Sequence, residues 1–87
     1  MKTRIYAIYD KEAKAYGQPF FAPTDVHAIR SLAVEVNSDS KNSFMAVWPE
    51  YFELYNVGEF DDETGTVSAT ERKMISTAVS LKKKDAR

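Results

Sequence analysis

The chain has 87 residues, of which 44% are hydrophobic and 13% aromatic, and its formal net charge is −1. This length fits one small domain, and the composition is that of a folded chain rather than a disordered one. There is no cysteine and only one histidine, His27. Disulfide scaffolds, thiolate metal sites, cysteine nucleophiles and clusters of imidazole ligands are therefore excluded.

The charge is divided unevenly along the chain. Residues 1–69 carry six Lys or Arg against eleven Asp or Glu, net −5, whereas residues 70–87 carry six against two, net +4. A basic C-terminal segment of this kind either binds a polyanion or an acidic partner, or is a solvated chain end. The N-terminus lacks the apolar region of a signal peptide, and no segment is apolar enough to span a membrane, so we expect a soluble cytoplasmic protein.

The N-terminal half predicts two strands and a helix. Residues 3–9, TRIYAIY, are rich in β-branched and aromatic types, and the YGQPFFAP that follows allows only a short edge strand because it contains two prolines. Residues 24–37 predict the main helix, with Thr24 as the N-cap and Asp25 in the first turn. His27 is either a cap partner or exposed, and we assign it no metal or catalytic role.

A second strand pattern follows the polar loop SDSKNS and the only tryptophan. Trp48 precedes a proline and is expected to anchor a turn against the core. The stretch YFELYNVGEF then alternates, with Phe52, Leu54 and Phe60 on the face expected to meet the helix. The other face should meet solvent or a partner, and it carries Tyr51, Glu53, Tyr55, Val57 and Glu59.

Four acids lie close together in GEFDDETG, residues 58–65, and raise the choice between a metal site and a turn. DETG has aspartate, Asp62, at its first position and glycine, Gly65, at its fourth. This pattern is typical of a type I turn that closes a bulged hairpin. A calcium loop with Gly65 as its sixth residue would place Phe60, which has no side-chain oxygen, at the first ligand position. We therefore predict a hairpin and no metal site.

The sequence shows no arrangement typical of an enzyme. Glu53 and Glu59 are separated along one strand by about 20 Å, which is too far for a catalytic pair of carboxyl groups. No nucleophile elbow, zinc-protease helix motif, P-loop or dinucleotide fingerprint is present. We expect neither catalysis nor a cofactor.

The C-terminal segment TERKMISTAVSLKKKDAR places Met74, Ala78 and Leu81 on one helical face and predicts an amphipathic helix that begins near Thr70. Together these patterns predict an α+β fold, with an antiparallel sheet of three or four strands and the 24–37 helix on one face. Residues 1–69 are expected to form one domain. Residues 70–87 are expected to form the helix and, beyond it, a basic tail. The helix is expected to dock on the domain, to cross to a second copy in self-association, or to order only on binding.

Three pieces of the chain, YAIYDKEAKAYGQPFF, AIRSLAVEVN and WPEYFELYNVGEFDDETG, resemble in this order the small non-structural protein family of gokushoviruses, which are microviruses with single-stranded circular DNA genomes. The most specific pieces are PFF, the PE before an aromatic strand, and GEFDDETG. The stretch KNSFMAV departs from the family by being more apolar. The resemblance implies a protein of the host bacterial cytoplasm that is absent from the virion and, by gene position, acts in genome replication or packaging.

This resemblance favours a test for single-stranded DNA binding, which needs cationic groups and aromatic faces. If Ile5 faces the core, Arg4 and Tyr6 point outward, and with Tyr51 and Tyr55 they form a stacking platform beside the basic tail. The predicted nucleic-acid-binding residues are Arg4, Tyr6, Tyr51, Tyr55, Arg72, Lys73, Lys82, Lys83, Lys84 and Arg87. The alternative is an interaction module, in which these tyrosines pack in a homodimer or against the viral replication or assembly proteins.

Overall fold

The computed structural model describes residues 1–39 and 43–83. All strand pairings in it are antiparallel, in the order β2-β1-β4-β5, and β3 also pairs with β1. The predicted α+β fold with a small antiparallel sheet is confirmed, and the sheet has five strands rather than three or four. The elements are β1 (Lys2–Asp10), β2 (Ala15–Tyr16), β3 (Phe20–Ala22), α1 (Asp25–Val36), α2 (Phe44–Val47), a 3-10 helix (Pro49–Tyr51), β4 (Phe52–Asp61), β5 (Thr66–Thr77) and α3 (Ala78–Leu81).

Helix α1 covers one face of the sheet, which we call the helix side. The Thr24 hydroxyl caps α1 by accepting from the His27 backbone N–H, and it also lies 2.8 Å from His27 Nδ1, so the predicted helix and its cap are confirmed. The apolar positions of α1 recur at helical spacing and pack against Tyr6 and Leu54 of the sheet. The fully buried residues of α1 are Ala28, Leu32 and Val36.

The face of β1 that packs against α1 is the opposite of the predicted one. Tyr6 is 0% exposed in the core, and its hydroxyl donates a 2.6 Å hydrogen bond to Asp25 Oδ1. Arg4 lies on the same side, with its guanidinium 3.1 Å from the same carboxylate. The prediction that Arg4 and Tyr6 point outward is wrong because Asp25, at the start of α1, binds both side chains.

A bulge in β4 reverses the alternation near its end. Ile5 pairs with Gly58 and Tyr6 with Asn56, which leaves Val57 as an extra residue. Phe52 and Leu54 pack on the helix side as predicted. Beyond the bulge, Phe60 contacts Phe21 on the other side of the sheet, with ring centroids 6.1 Å apart, so its predicted place on the helix side is wrong.

The segment predicted as a C-terminal helix from Thr70 is the second half of β5. Strand β5 runs to Thr77 and pairs with β4, and α3 has only four residues. The predicted helix is therefore wrong over residues 70–77, and β5 continues across the boundary expected after residue 69. Threonine, serine and isoleucine have low helix propensity, and the edge of β4 offers them backbone partners.

Helix α3 returns the chain to the C-terminal end of α1. Ala78 is fully buried, and the Asn37 side-chain amide donates to the Leu81 carbonyl at 2.9 Å. The Lys82 ammonium donates to the carbonyls of Val36 and Ala46 at 2.9 and 3.1 Å. These bonds fasten the end of the described chain to α1 and α2.

The acidic stretch forms the predicted hairpin between β4 and β5. Gly65 has φ = 73°, and its N–H donates to the Asp61 carbonyl at 2.8 Å. The Asp61 carboxylate, rather than Asp62, stabilises the turn by accepting from the Glu63 N–H at 3.0 Å. Asp62 instead binds the Met1 ammonium at 2.6 Å. Asp61 and Gly65 thus have a role in the turn, whereas Asp62 pairs with the Met1 ammonium.

The turn between β1 and β2 has the same construction. The Asp10 carboxylate accepts from the Glu12 N–H at 2.9 Å, and the Lys14 N–H donates to the Asp10 carbonyl at 2.8 Å. Lys14 occupies the left-handed position with φ = 57°, where the other turn has glycine. This turn sets the register in which Tyr9 pairs with Tyr16.

Candidate nucleic-acid interface

Three tyrosines and one arginine form a cluster on the side of the sheet opposite α1, which we call the open face. The tyrosine–arginine cluster consists of Tyr9, Tyr16, Tyr55 and Arg72. The ring centroid of Tyr16 lies 4.7 Å from that of Tyr9 and 5.7 Å from that of Tyr55, and Tyr9 and Tyr55 are 6.4 Å apart. Tilted and edge-to-face contacts of this kind leave parts of the ring faces open.

The register of three strands brings these rings together. Tyr9 is directly opposite Tyr16, and Tyr55 is opposite Ala7, two residues before Tyr9 on the same face of β1. Because alanine is small, Tyr55 has room to lie beside Tyr9. Tyr16 is 38% exposed and offers the most accessible ring of the three.

Arg72 lies over two of the rings. Its guanidinium carbon is 5.5 Å from the centroid of Tyr16 and 5.8 Å from that of Tyr55, which is cation–π geometry. The pairing of β4 with β5 is irregular between Ala69 and Lys73, and this irregular segment presents Arg72. No carboxylate of residues 1–39 or 43–83 lies within 4 Å of the Arg72 guanidinium.

The carboxylate of Glu53, next to the cluster, has its own partners. Tyr55 donates a 3.1 Å hydrogen bond to Glu53, and desolvation together with this bond raises the pKa of Tyr55 above its ordinary value. Lys11 lies 3.9 Å from the same carboxylate. Tyr55 is therefore neutral at physiological pH, and Arg72 supplies the uncompensated positive charge of the cluster.

Only two of the residues predicted to bind nucleic acid, Tyr55 and Arg72, meet in this cluster. Tyr9 and Tyr16 are absent from the predicted nucleic-acid-binding residues. The short turn between them, which begins with an aspartate, is a sequence signal that would place them opposite each other. Arg4 and Tyr6 lie on the helix side.

Tyr51 belongs to the 3-10 helix rather than to the outward face of a strand, and its carbonyl accepts from the Lys11 N–H at 2.8 Å. Trp48, which precedes this helix, is 48% exposed, so the prediction that it anchors a turn against the core is wrong. Pro49 begins the 3-10 helix, and Trp48 and Tyr51 line one cavity together with Phe52. Both aromatic residues therefore belong to a different surface from the cluster.

The predicted basic residues are dispersed. Lys73 is exposed on β5 opposite Asn56, and Lys82 is held by carbonyls of α1 and α2. The backbone N–H of Lys83 donates to the Asn37 side chain at 2.7 Å. Lys84 and Arg87 lie outside the described residues.

An apolar groove of about 410 Å³ occupies the other end of the open face. Phe21 and Val67 on its walls are 59% and 67% exposed. Gly58 forms its floor, where a Cβ atom would lie 2.7 Å from the Ser68 carbonyl oxygen, so close strand approach requires glycine there. Tyrosines thus mark one end of the open face and exposed apolar side chains the other.

Two further properties concern the described ranges only. Within residues 1–39 and 43–83, His, Asp and Glu side chains form no group of three or more that could hold a metal ion. No helix in these ranges has the length and apolarity needed to cross a membrane.

The model of the family described as Phage ORF5 protein matches residues 3–81, from β1 to the end of α3. Comparison with curated proteins and with solved structures gives no match. The matched segment contains the described sheet except Lys2, the first residue of β1.

Proposed function

Because the chain belongs to the Phage ORF5 protein family, we propose that this phage protein binds single-stranded DNA without sequence preference on the open face of its sheet. The resemblance to gokushovirus non-structural proteins supports a role in replication or packaging of a single-stranded genome in the host cytoplasm. The protein would act by binding rather than by catalysis. Fold and family alone do not define this activity, so the proposal depends on the site.

The observation that carries the proposal is the Arg72 guanidinium above the rings of Tyr16 and Tyr55. Proteins that bind single strands combine aromatic faces for bases with cations for the backbone, and each stacked base contributes about 1–3 kcal/mol. Tyr16 offers an exposed ring to a base, and Arg72 has no carboxylate partner within the described ranges that would compete with a phosphate.

The charge distribution indicates the path of the strand. Arg72 lies on the open face of β5 beside Tyr16 and Tyr55, whereas the acids of the β4–β5 turn lie at the far end of that face and repel phosphates. DNA would therefore cross the sheet near the tyrosine–arginine cluster. With so few cations the affinity should be modest and strongly dependent on salt.

A titration of a fluorescein-labelled oligothymidine 20-mer at several salt concentrations tests the proposal. We expect binding at low salt, with a log–log slope of about −0.7 for each phosphate contacted. Tyr16→Leu should weaken binding by about fivefold or more because a stacking face is lost. Arg72→Gln should reduce both the affinity and the salt slope.

Arg30→Gln is the matched control, because Arg30 is exposed on α1, on the other side of the sheet. It removes the same charge and should leave the affinity nearly unchanged. Absence of binding at low salt, or equal losses from Arg72→Gln and Arg30→Gln, would contradict the proposal. A duplex of the same length should compete poorly, since its bases are already stacked.

The apolar groove favours a second candidate function, homodimerisation by the open face. Exposed apolar side chains around a groove are typical of contact surfaces, and β5 is an edge strand of the described sheet. Light scattering should then show a dimer that Val67→Glu dissociates. Val34→Glu, at a valine exposed on α1, is the control. A monomer at micromolar concentrations would remove this candidate.

A further inference from the structure

A second cavity, of about 420 Å³, lies on the helix side of the sheet, at the end remote from the acidic turn. Among residues 1–39 and 43–83, four aromatic side chains and two carboxylates line it, and no lysine or arginine does. We call it the aromatic–acid pocket, and its functional groups come from Asp10, Glu12, Phe44, Trp48, Tyr51 and Phe52. We propose that this pocket binds an arginine side chain of a basic segment in a partner protein.

The aromatic walls expose ring surface that folding alone does not explain. Phe44 and Trp48 are 66% and 48% exposed, and their centroids are 5.9 Å apart at an angle of 58°. Tyr51 and Phe52, both half-buried, continue the wall toward the core. A planar guanidinium stacks on such rings, and its three-carbon stem adds apolar contact.

The carboxylates supply the charge that selects a cation. Asp10 Oδ1 accepts two backbone N–H bonds from its own turn, so it is held in a fixed orientation at the rim of the pocket. Glu12 is exposed beside it. A phosphate would be repelled here, whereas arginine can donate to a carboxylate while its plane contacts a ring.

Backbone hydrogen bonds hold the walls before any ligand arrives. The Trp48 N–H donates to the Phe44 carbonyl at 2.7 Å, and the Tyr51 N–H donates to the Trp48 carbonyl at 3.2 Å. The Lys11 N–H donates to the Tyr51 carbonyl at 2.8 Å and joins the β1–β2 turn to the aromatic wall. Because this geometry already exists, little ordering cost opposes binding.

The pocket is independent of the proposed DNA site. Asp10 pairs with Phe52 on the helix side, whereas the tyrosine–arginine cluster lies on the open face. One surface is therefore suited to a polyanion and the other to a basic protein segment. A protein with both surfaces can bring a basic partner to a nucleic acid.

The fluorescence of Trp48, the only tryptophan, reports on this pocket directly. The probe is the capped peptide acetyl-Gly-Arg-Gly-Arg-Gly-amide, and its control is the same peptide with citrulline, which keeps the shape of arginine without the charge. We expect a saturable change with the arginine peptide and an affinity at least about tenfold weaker for the citrulline peptide. Equal affinities for the two peptides would overturn the proposal.

Three variants locate the binding. Phe44→Ala should weaken binding of the arginine peptide by about tenfold, and Glu12→Gln by about threefold. Glu63→Gln removes the same charge from the distant β4–β5 turn and should have no effect. Equal losses from Glu12→Gln and Glu63→Gln, or full affinity in Phe44→Ala, would also overturn it. Both pocket side chains are exposed, so circular dichroism should show folded variants.

Tetramethylammonium tests whether the pocket selects arginine or binds any small cation. Tetramethylammonium should bind at least about tenfold more weakly than the arginine peptide, because it has neither a planar donor group nor an apolar stem. Tighter binding of tetramethylammonium would overturn the assignment to arginine. Arg72→Gln, which tests the DNA site, should leave peptide binding unchanged, so failure of one site is distinguishable from failure of the other.

Discussion

Tyrosines on the two faces of the sheet have different surroundings. On the helix side, Tyr6 is enclosed and its hydroxyl donates to Asp25. On the open face, Tyr9, Tyr16 and Tyr55 contact one another and Arg72, and nothing in the described chain covers them as α1 covers the helix side. The same residue type thus completes a core on one face and lies on an uncovered surface on the other, and the position of α1 decides which.

The two faces should differ most in how much truncation of an apolar side chain lowers the free energy of unfolding. Leu54→Ala on the helix side should lower the free energy of unfolding by about 3 kcal/mol, because Leu54 is fully buried and a cavity would remain. Val67→Ala on the open face should change it by less than about 0.5 kcal/mol. Urea denaturation measures both values. Similar losses would mean that the open face is covered in solution.

Removal of single hydroxyl groups tests the two kinds of tyrosine. Tyr6→Phe should cost about 1–2 kcal/mol, because a partly buried hydrogen bond to a carboxylate is lost at the edge of the core. Tyr9→Phe should cost less than about 0.5 kcal/mol, since the Tyr9 hydroxyl has no hydrogen bond within residues 1–39 and 43–83. Thermal denaturation of the two variants side by side measures the difference.

Alkaline pH should weaken the hydrogen bond between Tyr6 and Asp25. Desolvation, and then the hydrogen bond to Asp25, raise the pKa of Tyr6 from 10.0 to about 12. Since the folded-state pKa is the higher one, this contribution to stability is complete below pH 10 and is lost as the pH rises toward 12. Absorbance at 295 nm should show a tyrosine that ionises near pH 12. The late step should be absent in Tyr6→Phe.

The smallest expected effect concerns Arg72. Arg72→Met should reduce stability by about 0.5–1 kcal/mol, which is the usual contribution of an exposed cation–π contact. Arg30→Met, at an exposed position of α1, provides the baseline. A loss above about 2 kcal/mol would show that Arg72 supports the fold rather than a contact surface.

Helix α1, strand β1 and the Gly65 turn could be predicted because their signals are local. Thr24 caps a helix through its own side chain, and Gly65 adopts the positive φ that its turn requires. The orientation of β1 could not be predicted in this way, since both of its faces carry apolar residues. It depends on where α1 places Asp25.

The C-terminal segment and the cluster depend on distant partners. Residues 70–77 have apolar positions compatible with a helix, but the free edge of β4 pairs them as a strand. The pairing of Tyr9 with Tyr16 can be deduced from the turn between them. The place of Arg72 cannot, because it arises from an irregular segment of the β4–β5 pairing.

The pairing order of the strands has a consequence for synthesis on the ribosome. β1 ends at Asp10, but its partner β4 begins only at Phe52. At about 5–20 residues per second, one edge of β1 waits about 2–8 s for β4, while β2 and β3 can already pair with the other edge. A nascent chain stalled before Phe52 therefore exposes the unpaired backbone N–H and C=O groups of one edge of β1, which is a site for aggregation or for chaperone binding.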